Sequence, residues 1–237
     1  MKRWCWAWGL LLWAVQALAS EMVVLVDTST EMPLAEVRAD RLQRGLHRDL
    51  GEALARQLRR RPRFVVLPRK RIAGALEAGE ADLVCFYQPS WLPGPFHWSR
   101  TFLPNEDLLI TVRRARQPQR PADLAGQPIG TVHGFAYPEL ERALGPRFMR
   151  EDAPNASANL RKLSLGRTRH AVVSRLMLDY ERRAGLPLDL HPPLLLSRYE
   201  AGCALSRAST IEPAALDQAI EALLAEGVPE TLLARYR

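Results

Sequence analysis

The 237-residue chain is predicted to be an α/β protein, with parallel strands covered by helices in two successive alternations. Three observations predict this. Short β-branched runs recur, Met22-Val23-Val24-Leu25-Val26 and Phe64-Val65-Val66-Leu67 being the clearest, and polar or proline-bearing loops follow them. Between them Leu46, Leu50, Leu54 and Leu58 stand at four-residue spacing, one stripe of an amphipathic helix. A basic, proline-containing stretch from Arg113 to Pro121 separates the first alternation from a second, smaller one.

In chain order, a first strand over Met22 to Val26 runs into the polar loop Asp27-Thr28-Ser29-Thr30. Gly45 to Leu58 is a helix, with Ala53 and Ala55 between its leucines. Phe64 to Leu67 is a strand ended by Pro68, Arg71 to Ala78 a short helix, and Asp82 to Phe86 a third strand. Ligands of open α/β sheets bind at the carboxyl ends of the strands. Those loops begin here at Asp27, Pro68 and Tyr87. Asp107 to Val112 is an apolar strand. Beyond the divide, Pro128 to Val132 and His170 to Val173 read as strands. Pro138 to Leu144, Ser157 to Leu165 and Leu176 to Ala184 read as helices. Gly202 to Leu205 is short and apolar, and the helices Glu212 to Leu224 and Pro229 to Tyr236 are separated at Gly227.

Composition is ordinary for a globular protein, 47% hydrophobic and 25% charged, and the length buries a core without disulfide staples. Residues 1–20 read as a secretory signal: Lys2 and Arg3, an apolar run from Trp4 to Val15, then Ala17-Leu18-Ala19 with the cut after Ala19 or Ser20. The apolar run is shorter than the ~20 residues of a membrane span. Without Lys2 and Arg3, 31 of the 33 Lys and Arg face 26 Asp and Glu, a mature charge of +5. The basic residues look scattered, densest at Arg59-Arg60-Arg61-Pro62-Arg63 and Arg69-Lys70-Arg71, with no nucleic-acid motif beside them. A solvated basic face is the expectation. Cys5 leaves with the signal, and Cys85 and Cys203 are either a disulfide or two buried thiols. No zinc spacing, H-E-x-x-H pattern, nucleophile elbow or phosphate-binding glycine loop occurs, so neither metal, cofactor nor catalytic residue is expected.

Six fragments in order resemble the family 3 extracellular solute-binding proteins, the polar-amino-acid type that serves ABC importers. Gly45-Leu46-His47-Arg48-Asp49-Leu50 is similar to the glycine that leads into the family's first helix. Ala75 to Asp82 is similar to its "a-l-x-x-G-x-x-D" segment, and Trp98-Ser99-Arg100-Thr101-Phe102 to its "F-S-x-P-Y" element. Pro121 to Gly130 resembles the opening of its second lobe, and Leu165 to Val172 its "GraDAvv". Gly227-Val228-Pro229 and Tyr236 echo its terminus, and Pro68-Arg69-Lys70-Arg71 resembles a "P-x-x-R" of a less characterised branch. The resemblance implies the two-lobed periplasmic binding protein-like (type II) fold with two crossing hinge strands. Lobe one would be residues 21–111 plus 199–237 and lobe two 112–198, with hinge closure over a ligand. Both cysteines then fall in or near lobe one, which favours their pairing.

The chain departs from the family where amino acids are held. The loop Tyr87-Gln88-Pro89-Ser90-Trp91-Leu92-Pro93-Gly94 lacks the family's carboxylate-binding Arg, and Ser174 and Arg175 stand where its ammonium-binding Asp is expected. An arginine has no acceptor for an ammonium. An ordinary α-amino acid is therefore not the expected ligand. The candidate ligand-binding residues are Asp27, Arg69, Arg71, Tyr87, Gln88, Trp91, His133, Phe135, Tyr137, Ser174 and Arg175. The resemblance implies a monomer in the periplasm that captures a small polar or anionic solute for an ABC-transporter permease and meets the membrane only through that partner. The competing reading is a sensory or regulatory module with a degenerate site. A third, enzymatic reading would cast Asp27 or Glu31 as the acidic residue of a dehydratase-like cleft.

Overall fold

The computed structural model describes residues 20–236, so the expected signal segment through Ala19, with Cys5, lies outside the described residues. The elements run β1 (Glu21–Asp27), β2 (Glu36–Arg38), β3 (Arg41–Arg44), α1 (Leu46–Gln57), β4 (Arg61–Leu67), α2 (Arg69–Glu77), β5 (Leu83–Tyr87), β6 (His97–Trp98) and β7 (Leu103–Thr111). They continue β8 (Pro128–Val132), α3 (Pro138–Leu144), β9 (Met149–Ala153), α4 (Ala156–Ser164), β10 (His170–Ser174), α5 (Arg175–Arg183), β11 (Leu194–Leu205), α6 (Pro213–Ala225) and α7 (Val228–Tyr236).

Strand order is β4-β1-β5-β11-β7-β10-β8-β9, with β6 also on β11 and β2–β3 a separate hairpin. Strand β1 is parallel to β4 and β5, and β8 is parallel to β9 and β10. Two parallel groups therefore exist, each with its helices. They are joined by the antiparallel pair β7 and β11, in register from Leu194↔Leu109 to Ala201↔Leu103. Beyond Ala201, β11 pairs with β5 and β6; before Leu103, the chain is in the first group, while Asp107 to Thr111 pair with β10 in the second. This is the two-lobed architecture with two crossing strands that the resemblance implies.

The leucine stripe of α1 does what its spacing requires: Leu46, Leu50 and Leu54 are buried with Ile220, Leu223, Leu232 and Leu233 of α6 and α7 on one face of the first lobe. Ile72 and Leu76 of α2 close its other face. In the second lobe α4 and α5 cover one face and α3 the other. Gly45 enters α1 at φ 123, and a Cβ there would lie 2.6 Å from the Leu34 carbonyl oxygen. Only glycine fits that approach.

Five strands escape the sequence reading in whole or in part. Strand β11 begins at Leu194 rather than near Gly202, because its first half alternates half-buried with exposed residues and carries Arg198 and Glu200. Strand β9 is an edge strand exposed at Met149-Arg150-Glu151-Asp152, and the β2–β3 hairpin and β6 are short with little apolar signal. The open question about the cysteines is answered: Cys85 and Cys203 form a disulfide across neighbouring strands β5 and β11, 118 residues apart in sequence. His47 is buried in α1 with its ring edge-on to Phe86, and burial holds its pKa down at about 4 while the Asp27 charge opposes the shift.

Replacing both cysteines, Cys85→Ser with Cys203→Ser, is expected to lower unfolding free energy by about 2–5 kcal/mol in denaturant titrations. His47 titrates in the unfolded chain near 6.5 but folded only at about 4. The unfolded state thus takes up the proton first, and stability is lost as pH falls from about 6.5 to about 4 and levels off below. The loss is on the order of 3 kcal/mol, and His47→Phe should flatten it.

Candidate functional site

The parallel pairing of β1 with β4 and β5 brings their carboxyl ends to one edge of the first lobe, which gathers Asp27, Arg69 and Tyr87. Asp27 closes β1 and is buried; its Oδ1 accepts hydrogen bonds from the Ser29 backbone N–H at 2.9 Å and the Ser29 hydroxyl at 2.8 Å. This is the turn geometry expected of an aspartate leaving a strand. Arg69 opens α2 directly after Pro68. Its Nη1 donates to Tyr87 Oη at 3.2 Å and stands 3.7 Å from Asp27 Oδ2, and its Nη2 reaches the Trp91 carbonyl at 3.4 Å.

Tyr87 reaches this cluster because of a bulge. Gly202 pairs with Tyr87 while Cys203 pairs with Cys85, so Phe86, at φ 65, is the extra residue of β5. With strict alternation Tyr87 would share the face of Cys85. Instead Cys85 and Phe86 both pack with α1, and Tyr87 turns to the α2 side, among Leu25, Ile72 and Trp91. Burial then raises the Tyr87 phenol far above its ordinary range. The hydroxyl stays protonated and able to donate.

The second lobe meets this cluster at two points. The Arg69 guanidinium lies 5.2 Å from the Tyr87 ring centroid and 5.5 Å from that of Phe135, in the loop between β8 and α3. It thus contacts aromatic rings from both lobes. Separately, Glu31, in the loop after β1, accepts a hydrogen bond at 2.6 Å from the Ser157 backbone N–H in the first turn of α4. The Ser157 hydroxyl donates to Glu181. Burial pushes Glu31 above the usual carboxylate range, and the Glu181 charge adds to the shift while Ser157 and Arg161 oppose it.

The crossing strands supply a third wall. Trp91 meets Tyr199 of β11 edge-on at 5.0 Å, and Tyr199 Oη accepts from Asn105 Nδ2 at 3.0 Å. Two residue pairs further, Asp107 faces Ser197, whose hydroxyl donates to it at 3.3 Å. Burial pushes Asp107 up to about 6, Ser197 opposing and the Glu139 charge adding.

Of the sequence-predicted residues, Asp27, Arg69, Tyr87, Trp91 and Phe135 come together. Gln88 borders them, its carbonyl accepting from the Trp91 N–H. Tyr137 is committed to the loop: its Oη accepts from the Val132 N–H at 2.8 Å, and Arg150 stacks 5.2 Å over its ring. His133 is exposed, 3.7 Å from Asp152. Ser174 caps α5 by accepting from the Met177 N–H. Arg175 turns to the crossing strands, where it shares Glu106 with Arg198. It lies there beside a surface depression of about 630 Å³ that also includes Asp179 and Glu200. The Arg71 side chain is exposed on α2.

Sequence reasoning missed Asn105, Asp107 and Tyr199, which depend on the register of two strands 90 residues apart. Asp107, an acid opening an apolar run, was the one available signal. It also missed Arg150, which donates to the Phe135 carbonyl at 2.9 Å and the Val132 carbonyl at 3.1 Å while pairing with Asp152, and so holds the loop that presents Phe135.

No protein-family model matches the chain, and neither does any curated protein. Solved structures do. The ligand-binding core of GluR0 in complex with L-glutamate superposes with a TM-score of 0.75 at 16% identity, over 93% of this chain and 99% of that one. The periplasmic VFT2 domain of Bordetella pertussis BvgS gives 0.72 at 20% identity, over 92% and 93%. An ancestral arginine-binding protein bound to arginine gives 0.71 at 14% identity, over 92% and 99%. At these identities the likeness establishes the two-lobed fold. No described helix is long and apolar enough to cross a membrane.

Arg150→Ala removes two carbonyl hydrogen bonds from the Val132–Phe135 loop. Amide exchange over residues 133–137 should accelerate about tenfold or more, with a global stability loss of roughly 1–2 kcal/mol.

Proposed function

We propose that this chain is an exported, periplasmic solute-binding protein whose lobes close on a small polar or anionic solute and hand it to the membrane component of an ABC-type importer. The observation that carries the reading is the placement of Arg69. A guanidinium has five N–H donors, and Tyr87 and Trp91 engage two of them. The Tyr87 and Phe135 rings lie 5.2 Å and 5.5 Å from its central carbon, and its remaining donors belong to a planar fork of the kind that grips a carboxylate through two parallel hydrogen bonds. Arg69 thus offers, from the loop after β4, the carboxylate anchor that the loop after β5 lacks. Asp27 balances its charge, which suits a polar ligand with both a carboxylate and a donor.

The fold supports a small-molecule ligand, since L-glutamate and arginine occupy two of the similar proteins. Asp27 and Glu31 are each committed to hydrogen bonds within the protein, which argues against either as a catalytic base and favours binding over turnover. A second reading, a sensory or regulatory module, draws support from the contacts Arg69–Phe135 and Glu31–Ser157. Side chains of the protein itself bridge the lobes there, and a partner could read that closure directly.

A thermal-shift screen of the mature chain against organic acids, amino acids, peptides, sugars and phosphorylated compounds tests the proposal. A true ligand at a hundredfold excess over its Kd adds about 2.7 kcal/mol of stability. Arg69→Ala should abolish that shift, whereas Arg71→Ala, on an exposed position, should leave it intact. A response to sugars alone, unaffected by Arg69→Ala, would overturn the carboxylate anchor. A flat response to every class would overturn solute capture and leave the sensory reading.

A further inference from the structure

The mature net charge of +5 is not spread over the surface; it sits at one pole. The register His170↔Thr111, His170↔Ile129 and Pro128↔Met149 brings the end of β7 and the starts of β8, β9 and β10 to the edge of the second lobe opposite the cleft. The loops at that edge carry Arg113, Arg114, Arg116 and Arg120 after β7, Arg147 before β9, and Arg167 and Arg169 before β10. All seven are exposed. The acids at this edge are Asp123, after β7, and Asp189, in the loop between α5 and β11, which pair with Arg120 and Arg113. Seven of the 31 mature basic residues and two of the 26 acids stand here, leaving 24 of each elsewhere, so the rest of the mature chain is neutral.

Exposed apolar side chains accompany this charge. Leu165, 69% exposed after α4, is the most exposed large hydrophobic residue among those described, and Met149, 49% exposed, opens β9 beside Arg147. Arg114 packs against Gly166, the residue after Leu165, where a Cβ would fall 1.9 Å from Arg114 Nη2. Arginines around an outward-pointing leucine combine electrostatic attraction to anionic headgroups with a side chain able to enter the interface.

We propose that this pole is a docking surface for a membrane face bearing anionic phospholipid. Arginine suits the phosphate groups through its planar fork. Docking through the pole turns the cleft away from the bilayer, so the crossing strands can still open and close. The proposal is independent of which solute the cleft binds. It departs from the expectation that the chain meets the membrane only through a partner.

Flotation of the mature protein with phosphatidylcholine vesicles containing about 30% phosphatidylglycerol, against pure phosphatidylcholine vesicles, tests this. Binding to the anionic vesicles alone is expected at about 0.01 M salt, with loss near 1 M, where the Debye length shrinks to about 3 Å. Arg116→Glu with Arg167→Glu should weaken it about tenfold or more, and Leu165→Ser several-fold. The charge-matched control Arg61→Glu with Lys70→Glu, on the first lobe, should bind as the parent does. Equal loss in control and pole variants, or no preference for phosphatidylglycerol, would overturn the surface. Equal binding to soluble polyglutamate or to DNA, with Leu165→Ser neutral, would overturn its assignment to lipid in favour of a general polyanion site.

Discussion

The pairing of β7 with β11 is the constraint on which the rest of the molecule depends. Each strand belongs to both lobes, so the register of this one antiparallel ladder sets how the loops of the two halves face each other. A slip of one residue would turn Asn105, Asp107, Ser197 and Tyr199 to the opposite face. It would also separate Tyr199 from Trp91. The disulfide anchors the same ladder at its first-lobe end by tying β11 to β5. Between these two restraints lies the bulge at Phe86, which sends Tyr87 to the side of Arg69.

The cluster that results is electrostatically frugal. Asp27 and Arg69 nearly balance, and burial keeps the tyrosines protonated and raises Asp107 to about 6. A polar solute entering such a site exchanges water for hydrogen-bond donors without stranding a bare charge. The two lobe-to-lobe contacts differ in kind. Arg69 against Phe135 is a cation on an aromatic face. Glu31 on the Ser157 amide involves an acid whose protonation burial favours. The Ser157 hydrogen bond itself favours the ionised acid and works against that shift.

Much of this was legible in the sequence, and what was not has a physical pattern. Strand β1, the α1 stripe and the loops beginning at Asp27, Pro68 and Tyr87 announce themselves through local period and punctuation, and the cluster Asp27, Arg69, Tyr87 and Trp91 follows from them. Strand β9 and the first half of β11 carry no such period, because edge and crossing strands are wet on one or both faces. Asp107 meets Ser197 only through register, and Arg150 meets the Phe135 carbonyl only because β8 and β9 are neighbours. The charge was misjudged for the same reason. Arg59 to Arg63 is dense in sequence, yet Arg60 and Arg63 are engaged by Thr210 and Glu21, while the true excess gathers from three separate loops.

The link between Cys85 and Cys203 has a consequence for the life of the chain before it is folded. Strands β1, β4 and β5 emerge early, but the strand that completes their edge arrives 118 residues after the first cysteine. Until then the nascent first lobe carries a thiol with no native partner. Pairing of that thiol with Cys203 therefore marks chains in which β11 has been made and has taken its place beside β5. A chain cut short before Cys203 cannot form this bond, so the native disulfide distinguishes such fragments from longer molecules.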